Sequence, residues 1–168
     1  MDPLELRSTG KSARRKPIWV PQGEGVFLGR EEIERMLPHR EPFLFLDEIT
    51  HIGVEEQSIR GRRYVSASDP VFAGHFPGEP VYPGVLQIEM VGQLGLCLLP
   101  YLLGRSSRVR ALKVHTAEYL EAIGPDSELT LLARILDWND YTALCLGQVL
   151  CRETICSYSV QEVYLVEE

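Results

Sequence analysis

The sequence predicts an α+β fold in which an antiparallel sheet accompanies one long buried helix. From Val85 to Leu103 almost every side chain is apolar, and Glu89 is the only charged one. A helix that is apolar on all sides lies either in a core or in a membrane. Strand-like segments follow this helix, and short turn signals separate them. Consecutive hairpins beside one buried helix are typical of an antiparallel α+β architecture.

Three polar residues favour a core helix over a membrane span. Gln87, Glu89 and Gln93 fall within two turns, and no apolar run reaches the length of about 18 residues that a bilayer requires. We therefore expect a helix buried on all sides and no membrane span. Pro83 suits the first turn, where its missing N–H would have had no partner. Glycines within the helix are explained by close approach of a neighbouring backbone.

The remaining elements are read from apolar runs and turn residues. A short helix is expected at 29–36, since Pro38 ends it. A buried strand start follows at Phe43–Leu46. The predicted strands cover 49–52, 58–65, 110–123 (long enough to carry a bulge), 128–138, 141–150 and 154–166, with turns at 124–127 and at Asn139-Asp140.

Length and charge restrict the class of protein. The 168 residues suffice for one well-buried core. We predict a single domain at 29–168 and an N-terminal extension at 1–28, whose first 16 residues are polar, basic and expected to be mobile. The net charge of −7 argues against nucleic-acid binding, which normally uses a basic surface.

The cysteines and the amino terminus indicate a cytoplasmic protein. Four cysteines have neither C-x-x-C nor zinc-ligand spacing, so we expect reduced, buried thiols and no metal site. The basic residues at 14–16 are followed by Pro17 instead of an apolar core, so no secretion signal is predicted.

A constrained loop leads into the helix. The prolines between Gly74 and Tyr82 exclude a helix or a central strand there, so the loop should hold His75 near the helix start. Glu89 then lies less than two turns into the helix. A buried carboxylate is costly unless it is paired, hydrogen-bonded or protonated. From these residues alone, a structural histidine and a glutamate that only bonds to Gln93 remain open readings.

Two motifs carry a resemblance to a known family. Leu37 to Asp47 reads LPHREPFLFLD, and Gly74 to Glu89 reads GHFPGEPVYPGVLQIE. Together they resemble the (3R)-hydroxyacyl-[acyl-carrier-protein] dehydratases, in the FabZ type that has Glu on the helix where the FabA type has Asp. The resemblance covers roughly residues 30 to 166. It implies the hotdog fold, a long central helix wrapped by an antiparallel sheet.

The resemblance also implies a set of site residues. His75 would be the catalytic base and Glu89 the catalytic acid. The backbone N–H of Gly84 would bind the thioester oxygen, and Gln93 would orient the acid. Contacts with substrate are expected around the loop and the helix start, at Phe76, Tyr82 and Val85.

Partners follow from the same resemblance. The acyl group would arrive on the phosphopantetheine of an acyl carrier protein, and no other cofactor is expected. The site would be shared between the protomers of a homodimer, and a trimer of dimers is common in this family. Arginines are candidates for docking the acidic carrier, although a solvated surface explains them equally well: Arg60, Arg62, Arg63, Arg105, Arg108 and Arg110.

Departures from the family leave the pathway open. Tyr119 is followed by Leu120 where the family has Arg or Lys, the later turn reads Gly-Pro-Asp at 124–126, and Tyr82 stands where Met is common. Fatty-acid synthesis and a polyketide-like or aryl-polyene pathway both remain open. A hotdog acyl thioesterase and a non-catalytic hotdog partner or binding subunit are the alternative functions. His39-Arg40 is interpreted as a polar turn whose arginine ties loops together.

Overall fold

The computed structural model describes residues 2–106 and 108–166. One six-stranded antiparallel sheet runs in the order β1-β2-β4-β5-β6-β3. The elements in chain order are α1 (Pro3–Ala13), α2 (Arg30–Met36), β1 (Glu48–Gly53), β2 (Ser58–Val65), α3 (Val71–Gly74), α4 (Gly84–Leu103), β3 (Arg108–Tyr119), β4 (Ser127–Trp138), β5 (Thr142–Cys151) and β6 (Thr154–Val166).

The long helix α4 packs on one face of the sheet, mainly against β4 and β5. Small residues allow this close packing. A Cβ on Gly95 would lie 2.6 Å from the Cys145 sulfur, and one on Gly147 would lie 2.2 Å from a methyl carbon of Val91. By length and composition α4 could also cross a bilayer, but here it forms the core of the fold. The predicted α+β architecture, with a long helix wrapped by an antiparallel sheet, is confirmed.

Burial of α4 on all sides is not observed. Val85 is 67% exposed and Tyr101 46% exposed. Ile88, Glu89 and Leu96 are only half-buried. One face of the helix is therefore open in the single chain, because the sheet covers only the opposite face. We call the residues 85, 88, 89, 92, 96 and 100 the open face of α4.

Most predicted strands are present, and one is not. The turn at Asn139 is confirmed, since its side-chain oxygen accepts the Tyr141 and Thr142 N–H groups at 2.8 and 2.9 Å. β3 has two register shifts against β6, which are the expected bulges. The strand start at Phe43–Leu46 is wrong, because Phe43 is exposed, residues 44–46 are buried but irregular, and β1 begins at Glu48.

The N-terminal extension forms a helix that the sequence did not predict. α1 and the residues after it cover apolar side chains of β5 and β6 on the sheet face opposite α4, including Leu146 and Val160. Gln148 holds the extension, donating to the carbonyls of Ala13 and Lys16 and accepting from the N–H of Ile18. The proposed division at residue 28 and the expected mobility of the extension stay predictions. Residues 1, 107, 167 and 168 lie outside the described chain.

Candidate active site

The loop that carries His75 is fixed by backbone hydrogen bonds. α3 ends at Gly74, and the His75 N–H donates to the Val71 carbonyl at 3.0 Å. The Val81 N–H donates to the His75 carbonyl at 2.9 Å, and the Tyr82 N–H to the Ile123 carbonyl at 2.7 Å. The loop thus closes on itself and is joined to the segment that follows β3.

The same loop sets the tautomer of the His75 ring. Its Nδ1 lies 2.6 Å from the Val81 carbonyl oxygen. Because a carbonyl only accepts hydrogen bonds, Nδ1 carries the proton and the Nε2 of the neutral ring has a free lone pair. The Phe76 ring stacks on the imidazole at a centroid distance of 3.9 Å. His75 is therefore oriented with an available basic nitrogen.

Glu89 is held by Gln93, one turn further along α4. The Gln93 Nε2 donates to Glu89 Oε1 at 2.9 Å and also to the Phe43 carbonyl at 2.9 Å. Its Oε1 accepts the Phe45 N–H at 2.9 Å. Gln93 is 1% exposed, so these bonds are shielded from water. One side chain thus fastens the segment at 43–45 to the helix and orients the carboxylate.

A second histidine approaches the same carboxylate. His39 Nε2 lies 3.6 Å from Glu89 Oε1. Arg40 ties the turn as expected, since its guanidinium donates to the carbonyls of Leu37 and His39 at 2.8 and 2.7 Å. The contact between His39 and Glu89 was not predicted from the sequence. The only local hint of a fixed position for His39 is its place next to Pro38.

The start of α4 leaves two backbone donors for a ligand. The N–H groups of Leu86 and Gln87 donate to the Pro83 carbonyl at 3.1 and 3.4 Å, so those of Gly84 and Val85 are the ones without a partner in the described helix. Gly84 opens α4, and a Cβ there would lie 2.5 Å from a ring carbon of Tyr119. Only glycine fits beneath that ring. Val85 and Phe76 are exposed, at 67% and 52%, and Tyr119 is also exposed.

Tyr82 lies inside the core and not on the surface of the site. It is 1% exposed and packs edge-on against Phe72 at a centroid distance of 6.0 Å. Burial raises the pKa of its hydroxyl to about 12, and Asp69 adds to this effect. The hydroxyl has no hydrogen-bond partner within the described chain. Substrate contact by Tyr82 remains a prediction.

The candidate docking arginines of β2 are paired with acids. Arg62 contacts Glu48 at 3.1 Å, and Arg63 contacts Asp47 at 2.8 Å. Arg60 is half-buried. These pairs reduce the positive charge that β2 offers to a partner. The other candidates, Arg105, Arg108 and Arg110, follow α4 or lie at the start of β3.

An apolar groove of about 800 Å³ adjoins the open face of α4. Its apolar lining includes Leu37, Leu96, Leu99 and Val109. Leu96 lies seven residues after Glu89, which places both on one side of the helix. Glu89 itself does not line the groove, which begins about two turns further along α4 and is also bordered by charged side chains, including Arg35, Arg40 and Arg108.

His75 and Glu89 are not paired within one chain. In the part of the chain that the structure describes, no hydrogen bond or ion pair joins them, and Glu89 contacts only Gln93 and His39. The sequence placed both residues close to the helix start. The structure brings Glu89 to the open face and His75 to a separate loop.

The central helix, the wrapping sheet and the loop histidine together define a hotdog-fold protein. The chain belongs to the FabA-like domain family, whose model matches residues 37–155. The 3-hydroxyacyl-[acyl-carrier-protein] dehydratase FabZ of Chlamydia trachomatis is 37% identical over 113 residues, which are 66% of this chain and 74% of that protein. The FabZ dehydratase of Clostridium botulinum is 50% identical over 66 residues, 39% of this chain and 46% of that protein.

Solved structures support the fold. The dehydratase heterocomplex ApeI:P from Xenorhabdus doucetiae matches with a TM-score of 0.65 at 20% identity, over 81% of this chain and 91% of that chain. A hypothetical thioesterase from Streptococcus pneumoniae matches with a TM-score of 0.54 at 12% identity, over 67% of this chain and 81% of that one. Dehydratases and thioesterases share this architecture, so the fold alone does not choose between them.

Proposed function

We propose that this protein dehydrates (3R)-hydroxyacyl thioesters on an acyl carrier protein to trans-2-enoyl thioesters. Family membership and the FabZ relatives support this reaction class. The observation that carries the proposal is the hydrogen bond from His75 Nδ1 to the Val81 carbonyl. This bond leaves Nε2 as a positioned base beside a helix start with free N–H donors.

The elimination uses the two side chains in separate roles. His75 Nε2 takes the proton from C2, and the electrons of that C–H bond form the double bond to C3. Glu89 gives its proton to the hydroxyl on C3, which leaves as water. The hydrogen bond from Gln93 holds Glu89 for this transfer. A base and an acid in different surroundings are what the reaction requires.

The thioester oxygen gains negative charge when C2 loses its proton. The N–H of Gly84 at the start of α4 is the proposed donor to that oxygen, and the helix dipole adds to the stabilisation. The Tyr119 ring lies so close to Gly84 that a side chain at position 84 would collide with it. The exposed Phe76 and Val85 then border the substrate.

The proposed site is completed by a second copy of the chain. Within the described residues, no hydrogen bond or ion pair joins Glu89 on the open face of α4 to His75 of its own chain. β3 is an edge strand, and it exposes Leu112 and Val114 at 56% and 51%. An exposed apolar edge strand favours pairing with another strand. A homodimer in which His75 of one protomer faces Glu89 of the other, with trimers of dimers as a higher assembly, meets both conditions.

The substrate would enter on a carrier and lie in the groove. The apolar groove past Leu96 suits an acyl chain. Docking of an acidic carrier would use the exposed Arg108 more readily than Arg62 and Arg63, which already pair with acids. We place the reaction in the cytoplasm. Fatty-acid synthesis is the favoured pathway, and a polyketide-like pathway is the alternative.

Mass spectrometry of carrier-bound substrates tests this function. (3R)-Hydroxyacyl chains of several lengths on an acyl carrier protein are incubated with the protein, and we expect the loss of one water. Free acid with bare carrier would instead establish a thioesterase. Substrates that bind and stay unchanged at every length would indicate a non-catalytic partner and contradict the proposal.

A further inference from the structure

His39 is a half-buried histidine that the mechanism above does not use. Its ring lies between Glu89 of α4 and the Phe43 ring, with a centroid distance of 6.4 Å to Phe43. Nε2 is 3.6 Å from Glu89 Oε1. Nδ1 is buried and has no hydrogen-bond partner within residues 2–106 and 108–166. The polar side of this ring is therefore directed to the carboxylate.

The position of the ring is built into the fold. Arg40 donates to the carbonyls on both sides of Pro38, which fixes the turn. Gln93 fastens Phe43 to α4 on the other side of the ring. The Arg40 guanidinium is turned to these carbonyls and lies 4.0 Å from Glu34 of α2. Within the described residues, the carboxylate that lies within 4 Å of the imidazole is Glu89.

After each turnover the proposed elimination leaves Glu89 without its proton and His75 with the proton from C2, which His75 Nε2 then releases to water. In the single chain the Glu89 side chain is 35% exposed and that of His39 22%, and a second copy of the chain over the open face of α4 would reduce the access of Glu89 to bulk water. Because the Nδ1 of His39 is buried, Nε2 is the nitrogen that can take a proton from water and that faces Glu89. An imidazole is the side chain best suited to exchanging protons near neutral pH.

We propose that His39 is a positioning residue that returns the proton to Glu89 between turnovers. The N–H bond at Nε2 of the protonated ring breaks, and an O–H bond forms on Glu89. The neutral ring then takes a proton from water or from a buffer acid. This inference rests on the proposed dehydratase function and adds the route by which its acid is restored.

Steady-state kinetics of His39→Gln and His39→Ala test the route. Glutamine keeps a donor at this position but cannot carry a proton, so kcat should fall about tenfold while KM stays within about twofold. Added imidazole should raise kcat of His39→Ala in proportion to its concentration. The matched control is His51→Gln, which alters another half-buried histidine, in β1, whose Nδ1 lies 3.1 Å from the Thr50 hydroxyl, and should leave kcat unchanged.

Three results would overturn the inference. These are a wild-type kcat in His39→Gln, a loss confined to KM, or a His39→Ala kcat that does not respond to imidazole or buffer. The comparison with the wild type separates this proposal from the function on which it rests. A wild-type protein without dehydratase activity removes both, whereas an active wild type with unaffected His39 variants removes only the relay.

Discussion

Two buried glutamines each hold a separate chain segment through hydrogen bonds to its backbone, one on either side of the sheet. Only one of the two also binds an ionisable side chain. On the face that packs on α4, Gln93 binds two backbone groups of the 43–45 segment and also Glu89. On the opposite face, Gln148 binds three backbone groups of the N-terminal extension. The same device therefore attaches a segment on both faces, but only Gln93 also orients an ionisable group.

The histidine–glutamate pairs show the same contrast. His115 and Glu162 join β3 to β6 at 2.8 Å, whereas His39 and Glu89 are 3.6 Å apart. Glu162 lies opposite Leu144 in the register of β5 and β6, on the sheet face that the N-terminal extension covers and that α4 does not. A close histidine–carboxylate contact therefore does not by itself mark a catalytic site, and the surroundings of Glu89 distinguish it.

The largest expected effect is a loss of dehydratase activity at the two proposed catalytic residues and not at Glu162. His75→Ala and Glu89→Gln should each reduce kcat/KM by roughly 10²–10⁴-fold, because each removes a proton-transfer group. Glu162→Gln should stay within about twofold of the wild type, since it only weakens a partly exposed pair. Dehydration rates and circular dichroism of the pure variants measure this. A comparable loss in Glu162→Gln would contradict the contrast.

The two glutamines should be equivalent in stability and different in catalysis. Gln93→Leu and Gln148→Leu each leave buried backbone groups without partners, so each should lower the free energy of unfolding by about 2–3 kcal/mol. Only Gln93→Leu should also lower kcat, by about tenfold, because Glu89 loses its hydrogen bond. Urea unfolding and initial rates provide the two readouts. Equal kcat in both variants would show that Gln93 does not orient the acid.

Two buried tyrosines allow a second comparison, of how much each hydroxyl contributes to stability. The Tyr158 hydroxyl donates to Glu118 at 2.5 Å, whereas the Tyr82 hydroxyl has no partner in the described residues. Tyr158→Phe should therefore cost about 1 kcal/mol, and Tyr82→Phe about zero. Thermal unfolding of both variants at neutral pH checks the difference. A larger cost at Tyr82 would mean that its hydroxyl is satisfied in solution.

The same tyrosines predict a loss of stability at high pH. Burial and the Glu118 hydrogen bond raise the Tyr158 pKa from 10.0 to about 12. The folded protein then binds more protons than the unfolded chain between these values, so this stabilisation is complete below pH 10 and is lost as the pH rises to 12. Tyr158→Phe should flatten this decline in urea titrations, and an unchanged slope would contradict the assignment.

A glycine of the extension gives the smallest effect. A Cβ on Gly10 would lie 2.7 Å from the Tyr158 hydroxyl oxygen, whereas one on Gly124 would meet nothing within 4 Å. Alanine inside a helix normally stabilises by about 1 kcal/mol relative to glycine, but at position 10 its methyl group would overpack against Tyr158, so Gly10→Ala should show none of this gain, and Gly124→Ala should be close to neutral. Thermal unfolding measures both. A higher melting temperature in Gly10→Ala would mean that α1 does not pack closely on β6.

The sequence predicted elements whose cause is local. The bounds of β2, the turn at Asn139 and the helix after Pro83 follow from side chains within each segment. α1 was missed although its start carries a local signal, the capping box of Asp2 and Glu5, and only its attachment to the sheet depends on Gln148, more than a hundred residues away. The segment at 43–46 was taken for a strand because its apolar run does not reveal that Gln93 satisfies its backbone.

The site was predicted from motifs, and its contacts were not. The resemblance named His75, Glu89 and Gln93, and the structure adds how the loop and the helix hold them. No spacing rule connects His39 with Glu89, which is 50 residues later in the chain. Contacts between separate segments depend on tertiary packing, which local pattern does not encode.

The central claim is that His75 and Glu89 act together across two copies of the chain. Mixing unfolded His75→Ala and Glu89→Gln chains and refolding them tests it directly. Mixed dimers would contain one site with both native residues, so activity should return to roughly a quarter of the wild-type level from two inactive proteins. No recovery, with mixed dimers shown by mass spectrometry, would contradict a shared site.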